Sequence, residues 1–233
     1  MKRKALLIGN TGDLPGVALD LKRMDAFLKS TNGGSWYTNE IVALQNPTRR
    51  ALDEQITKLR LEGLDYCIVL YSGHGGHCRE TLLEINPQGE KITESLLDRL
   101  ASRQLSIFDC CRVELERVFK ASAMDSALES YQFNLGAARR LYEERIMQAI
   151  PQHVRLYACA VGECSYDTPN GARYLSALLR AAKLFDNDTL YKTVGLAHNE
   201  ACSELLASKA QQTPEAYLTK CLTSQQLVLS MNI

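Results

Sequence analysis

Residues Cys67-Ile68-Val69-Leu70-Tyr71-Ser72-Gly73-His74-Gly75 form an apolar run that stops abruptly at a glycine-flanked histidine. A second run, Leu105-Ser106-Ile107-Phe108, stops in the same way at Asp109-Cys110-Cys111-Arg112. Short apolar runs of this kind, bounded by polar residues, are read as buried strands. In an open α/β sheet, ligands collect outside the carboxyl ends of the strands. Neighbouring strands ending in a histidine and a cysteine would therefore face one substrate with a base and a nucleophile.

Working outward, strand and helix patterns alternate. Residues 4–9 predict a first strand, followed by the turn Gly12-Asp13-Leu14-Pro15-Gly16 and a helix with Val17, Leu21, Met24 and Leu28 on one face. Residues 40–44 predict an extended piece ending at Asn46-Pro47, which fits an N-cap with proline at the first helical position. The helix after it carries Leu52, Ile56 and Leu59. Beyond the His74 strand come an extended piece at 81–85 and a helix near 93–102 with Leu96, Leu97 and Leu100. After the Cys111 strand the alternation breaks into a helical or mobile insertion at about 113–152. It resumes with a strand at 154–159 and a helix after Asn170-Gly171 bearing Tyr174, Leu175, Leu178 and Leu179. A helix at about 189–207, with Leu190, Val194, Ala197, Ala201 and Leu205, and a final strand at 226–231 complete the order. The pattern predicts one α/β domain over residues 1–233, with a mainly parallel sheet covered on both faces.

Composition narrows the function. The 27 basic and 27 acidic residues cancel, and neither sign forms a long block, so no affinity for nucleic acid or for an anionic membrane surface follows. No apolar run approaches the ~20 residues that span a bilayer, and the basic, briefly apolar start Met1-Lys2-Arg3-Lys4-Ala5-Leu6-Leu7-Ile8 is too short for a secretory leader. The eight cysteines, at 67, 78, 110, 111, 159, 164, 202 and 221, are therefore expected as reduced thiols in a cytoplasmic protein.

A thiol needs a nearby base to become a nucleophile at neutral pH, and His74 is the candidate. Its glycine neighbours leave little to bury it and let a substrate backbone approach. A competing zinc site, with His74, His77, Cys78 and a thiol of the 110–111 pair, lacks the paired spacings such sites use. No metal or other cofactor is expected.

The two motifs together resemble the caspase and metacaspase superfamily of cysteine peptidases, nearer the metacaspase or prokaryotic caspase-like branch. The resemblance rests on Ser72-Gly73-His74-Gly75 and Asp109-Cys110-Cys111. It extends to residues 16–20, to residues 158–166 and to Gln212-Thr213-Pro214. It implies a three-layer α/β/α sandwich with about six strands, His74 as base and Cys111 as nucleophile. Cys110 should then point to the opposite face of its strand. It also implies an oxyanion hole from the backbone N–H groups of Gly75 and Cys111, and a specificity pocket lined by Asp20 and Asp109. With Asp167, which follows Ser165-Tyr166 where animal caspases carry arginine, these acids would select Arg or Lys before the cleaved bond. Arg139-Arg140 falls where the superfamily carries a processing loop, so the resemblance points to this pair as a site of self-cleavage, with a solvated helical face as the alternative reading of the same residues. Asp109 stands where animal caspases have glutamine, and Arg112-Val113-Glu114 where metacaspases have His-Ser-Gly. No Asp-x-Asp-x-Asp-Gly loop is present, so calcium dependence is not carried over. By analogy the substrate is a protein such as a pore-former or toxin, the activator is separately encoded, and the pathway is cell death or antiviral defence. The alternatives are a catalytically silent caspase-like interaction module and a metal-stabilised binding protein.

Overall fold

The computed structural model describes residues 1–114, 135–186 and 188–233. The elements run β1 (Arg3–Gly9), α1 (Val17–Lys29), β2 (Ile41–Gln45), α2 (Arg49–Leu61), β3 (Leu64–Ser72), β4 (Gly75–Cys78), β5 (Glu80–Glu84), β6 (Lys91–Thr93) and β7 (Ala101–Asp109). Then follow α3 (Leu135–Gln148), β8 (Gln152–Tyr157), α4 (Arg173–Ala181), β9 (Tyr191–Thr193), α5 (Val194–Ala207), β10 (Glu215–Tyr217) and β11 (Val228–Met231). The central sheet has six strands in the order β10-β8-β7-β3-β1-β2, all parallel except β10.

Side-chain alternation divides the interior into two layers. Ala5, Leu7, Ile68, Leu70, Leu105 and Ile107 face α1, α3, α4 and α5, while Leu6, Ile8, Val69, Tyr71 and Phe108 face α2 and the small β4-β5-β6 sheet. This is the expected three-layer α/β/α sandwich. Among the described residues no helix is long and apolar enough to cross a membrane.

Several local expectations are corrected. Thr48, rather than Asn46, caps α2, accepting from the Ala51 N–H at 3.2 Å. Asn46 instead turns left-handed at φ 50° and ties its side chain to Thr11. The helix expected at 93–102 is one 3-10 turn, Glu94–Leu97, because Arg99 turns left-handed at φ 58° and β7 begins at Ala101. Leu97 and Leu100 are still buried.

The helix placed at 189–207 starts at Val194, capped by Thr193; residues 191–193 are strand and Leu190 is exposed. The last strand pairs with β9 outside the central sheet, whose sixth strand is instead the three-residue β10. Within the expected insertion, α3 occupies the second half; residues 115–134 lie outside the described residues.

Candidate active site

The parallel register of β3 and β7 pairs Ser72 with Asp109, and the Gly73 N–H donates to the Asp109 carbonyl at 3.2 Å. Two residues beyond each partner, His74 and Cys111 leave the sheet level with one another. The backbone at His74 is held by Tyr71, whose phenolic oxygen lies 2.5 Å from the His74 carbonyl and 2.6 Å from that of Glu84. Burial drives the Tyr71 phenol well above its ordinary pKa, so it stays a neutral donor. A Cβ on Gly73 would meet that oxygen at 2.7 Å.

Alternation sorts the adjacent cysteines. Cys110 joins the apolar layer shared with Tyr71 and Phe108. The Cys111 thiol lies on the other side, 3.6 Å from the Ser165 carbonyl that it donates to. Gly75 sits where the two strand ends nearly touch, since a Cβ there would meet Cys110 Sγ at 2.7 Å and the Cys111 carbonyl at 2.8 Å. The His77 N–H donates to the Val113 carbonyl at 2.9 Å. Alternate N–H groups of a strand share one edge, so the Gly75 N–H faces the same way, towards residues 111–113. The His74 Nε2 is in hydrogen-bond contact with Asp13 Oδ1.

The three predicted acids are buried in neighbouring positions. Asp20, in the first turn of α1, accepts from the Ser72 hydroxyl at 2.7 Å and the Ala172 N–H at 2.9 Å. Asp109 accepts from the Ser165 hydroxyl at 2.5 Å and the Leu175 N–H at 3.0 Å. Asp167 accepts from the Gly16 N–H at 3.1 Å, at the start of α1, where Gly16 offers no side-chain cap of its own. A Cβ on Gly16 would collide with the Thr168 carbonyl at 2.2 Å and Asp167 Oδ1 at 2.3 Å.

Burial first, and then the charges of Asp109 and Asp167, push the Asp20 carboxyl up to about 8, against the two hydrogen bonds that lower it. Among the described residues no three His, Cys, Asp or Glu side chains gather closely enough to share a metal ion.

Arg139 and Arg140 lie in the first turns of α3. Arg139 grips Glu40 through two hydrogen bonds of 2.8 and 2.6 Å, pairs with Glu143 at 3.0 Å and stacks over Tyr37. Cleavage at this pair would require α3 to unwind first, since peptidases take their substrates extended. Arg112, the residue after the nucleophile candidate, is buried over Tyr157 and bonded to Glu215 of β10 at 2.6 Å.

Sequence reasoning missed the parts that hold the site: Asp13, Tyr71, and the two hydroxyls of Ser72 and Ser165 on the acids. One signal was available, in that a helix beginning at Gly16 without a Ser, Thr, Asp or Asn cap needs an acceptor from elsewhere.

The family model of the caspase domain matches residues 2–223. A search of curated proteins finds no match. Among solved structures, the protein GSU0716 from Geobacter sulfurreducens superposes with a TM-score of 0.63 at 16% identity, over 97% of each chain. Caspase-1 from Spodoptera frugiperda superposes with a TM-score of 0.56 at 9% identity, over 98% of this chain and 83% of its own. At these identities the likeness is one of fold.

Proposed function

The chain belongs to the caspase-domain family of cysteine peptidases, and from that premise we propose that it is an endopeptidase cutting protein chains after arginine or lysine, with His74 and Cys111 as its dyad. In this reading the Cys111 proton passes to His74, and the sulfur forms a C–S bond with the scissile carbonyl carbon as the C=O electron pair moves onto oxygen. The N–H groups of Gly75 and Cys111 hold that oxyanion; one such donor contributes roughly 3 to 4 kcal/mol to the transition state. Collapse restores C=O and breaks C–N, the amine takes the proton from His74, and water then hydrolyses the thioester with His74 as base.

The observation that carries the specificity is Asp20. A carboxyl pushed to about 8 by burial beside two further acids is a site that gains from an arriving cation. Its own hydrogen bonds come from a hydroxyl and an amide, neither of them charged. A guanidinium offers several donors in a flat fork, enough to meet more than one carboxylate. Asp20 and Asp109 contact the substrate side chain, and Asp167 adds its charge from the α1 terminus. The reading needs no cofactor and no calcium. It extends by analogy to a cytoplasmic enzyme that acts on a pore-forming or toxin protein under a separately encoded activator, in cell death or antiviral defence.

A positional peptide library incubated with the purified protein tests the proposal. Turnover confined to peptides with Arg or Lys before the cleaved bond is expected. Preference for Asp would overturn the pocket assignment, and no turnover of any peptide would favour a silent interaction module.

A further inference from the structure

The contact between His74 and Asp13 has no counterpart in the motifs that suggested the dyad. Asp13 sits in the turn between β1 and α1, and both ends of that turn are fixed. Asn10, fully buried, donates its N–H to the Ser72 carbonyl at 3.0 Å and its side-chain amide to the Glu84 carbonyl at 2.8 Å. Leu14 is buried and its N–H closes on the Thr11 carbonyl at 2.7 Å. Between them Gly12, at φ 23°, carries the chain past the imidazole so closely that a Cβ on it would lie 4.0 Å from His74 Cδ2. The next residue places its carboxylate on Nε2.

We propose that Asp13 is a positioning residue that orients His74 and selects its working tautomer, making the site a Cys111–His74–Asp13 relay; this rests on the peptidase reading above. An imidazole whose Nε2–H donates to a carboxylate leaves Nδ1 as the nitrogen with a free lone pair. Nδ1 is then the atom that takes the Cys111 proton and later returns it to the leaving amine, while Asp13 keeps its charge and holds no transferred proton. Tyr71 fixes the histidine backbone and Asp13 fixes the ring, so the two act on different parts of one residue.

The bland alternative is an incidental surface ion pair, because the Asp13 side chain is 78% exposed and such pairs contribute little. Exposure also limits the expected effect, since water competes with the carboxylate for the ring.

The test compares Asp13→Ala and Asp13→Glu with the unaltered protein, on a basic peptide substrate and by ¹⁵N NMR of the histidine rings, with His74 assigned from His74→Ala. Asp13→Ala should lower kcat by about 10- to 100-fold with KM unchanged, and Asp13→Glu should restore most of it. In the spectra, His74 should be the Nε2–H tautomer in the unaltered protein and lose that preference in Asp13→Ala. Unchanged kcat in Asp13→Ala overturns the proposal, as does a rise in KM alone, which would put Asp13 on the substrate side. The tautomer readout needs no turnover. An inactive but Nε2–H protein would therefore sink the peptidase reading and leave the orienting contact standing, whereas an unchanged tautomer in Asp13→Ala would sink the contact.

Discussion

Asp13, in the turn before α1, and Asp20, in the first turn of α1, are seven residues apart, yet the structure puts the first in solvent against an imidazole and the second in the core against two other acids. The side chains are identical and their surroundings differ. In water a carboxylate carries its charge at little cost, so it can serve as a fixed partner for a histidine. Buried beside like charges, the same group must keep a proton or find a cation. Surroundings, not residue type, therefore divide the work in the proposed reading, where the rim would support proton transfer and the floor would read the substrate.

The strongest way to break this division is at the dyad itself. Cys111→Ala should abolish peptide cleavage, and His74→Ala should lower it by roughly 10² to 10⁴-fold. Cys110→Ala should keep most activity and cost only about 1 kcal/mol of stability, because its thiol lies in the apolar layer beneath Gly75. Equal loss from both cysteine variants, each folded by circular dichroism, would show that the strand faces are assigned the wrong way round.

The next effect belongs to the floor. Asp109→Asn keeps the shape and removes one charge, and should reduce kcat/KM on Arg and Lys peptides at least ~10-fold, the value of one charge-assisted contact. It should not create a preference for Asp, since no arginine replaces the lost acid. A variant with unaltered efficiency would place the substrate side chain elsewhere.

This order of effects follows what the sequence made legible. The ends of β3 and β7 could be read because each is a bounded apolar run meeting polar chemistry, and parallel register then brings His74 level with Cys111 without further information. Strand β10 could not, because Glu215-Ala216-Tyr217 is too short to show a period. Leu96, Leu97 and Leu100 have helical spacing, but a left-handed Arg99 decides the backbone there and the leucines are buried all the same. Asp20 and Asp109 were singled out through family likeness. What sequence cannot display is a partner far along the chain, and so the Ser165 hydroxyl on Asp109 and the Asp13 carboxylate on His74 emerge only with the fold.

A smaller effect sharpens the contrast through protons. Because burial pushes the Asp20 carboxyl up to about 8, a guanidinium bound against it would displace its proton below that pH. Arg-peptide binding to the inactive Cys111→Ala protein should therefore release a proton at pH 7, seen by calorimetry in buffers of different ionisation enthalpy, and affinity should level off above about pH 8. Asp20→Asn in the same background should bind without release. Binding with no proton exchange in either protein would mean that Asp20 does not meet the cation.

The smallest effect is on stability, and its sign is opposite to that on function. An Asp has a pKa of ~3.9 in an unfolded chain, and in this fold Asp20 is raised to about 8. The unfolded chain therefore gives up its proton more readily. The fold keeps its full stability below pH ~4, loses it progressively as pH rises towards about 8, and loses no more from this group beyond that. Asp20→Asn carries no such charge in either state. It should melt like the unaltered protein near pH 4 and several degrees higher at pH 8, the gain amounting to a few kcal/mol at most. A variant that is more stable and less active is the expected mark of a residue kept for binding rather than folding. Equal melting temperatures at pH 8 would show that the carboxylate is hydrated where it sits, and the division between rim and floor would lose its physical basis.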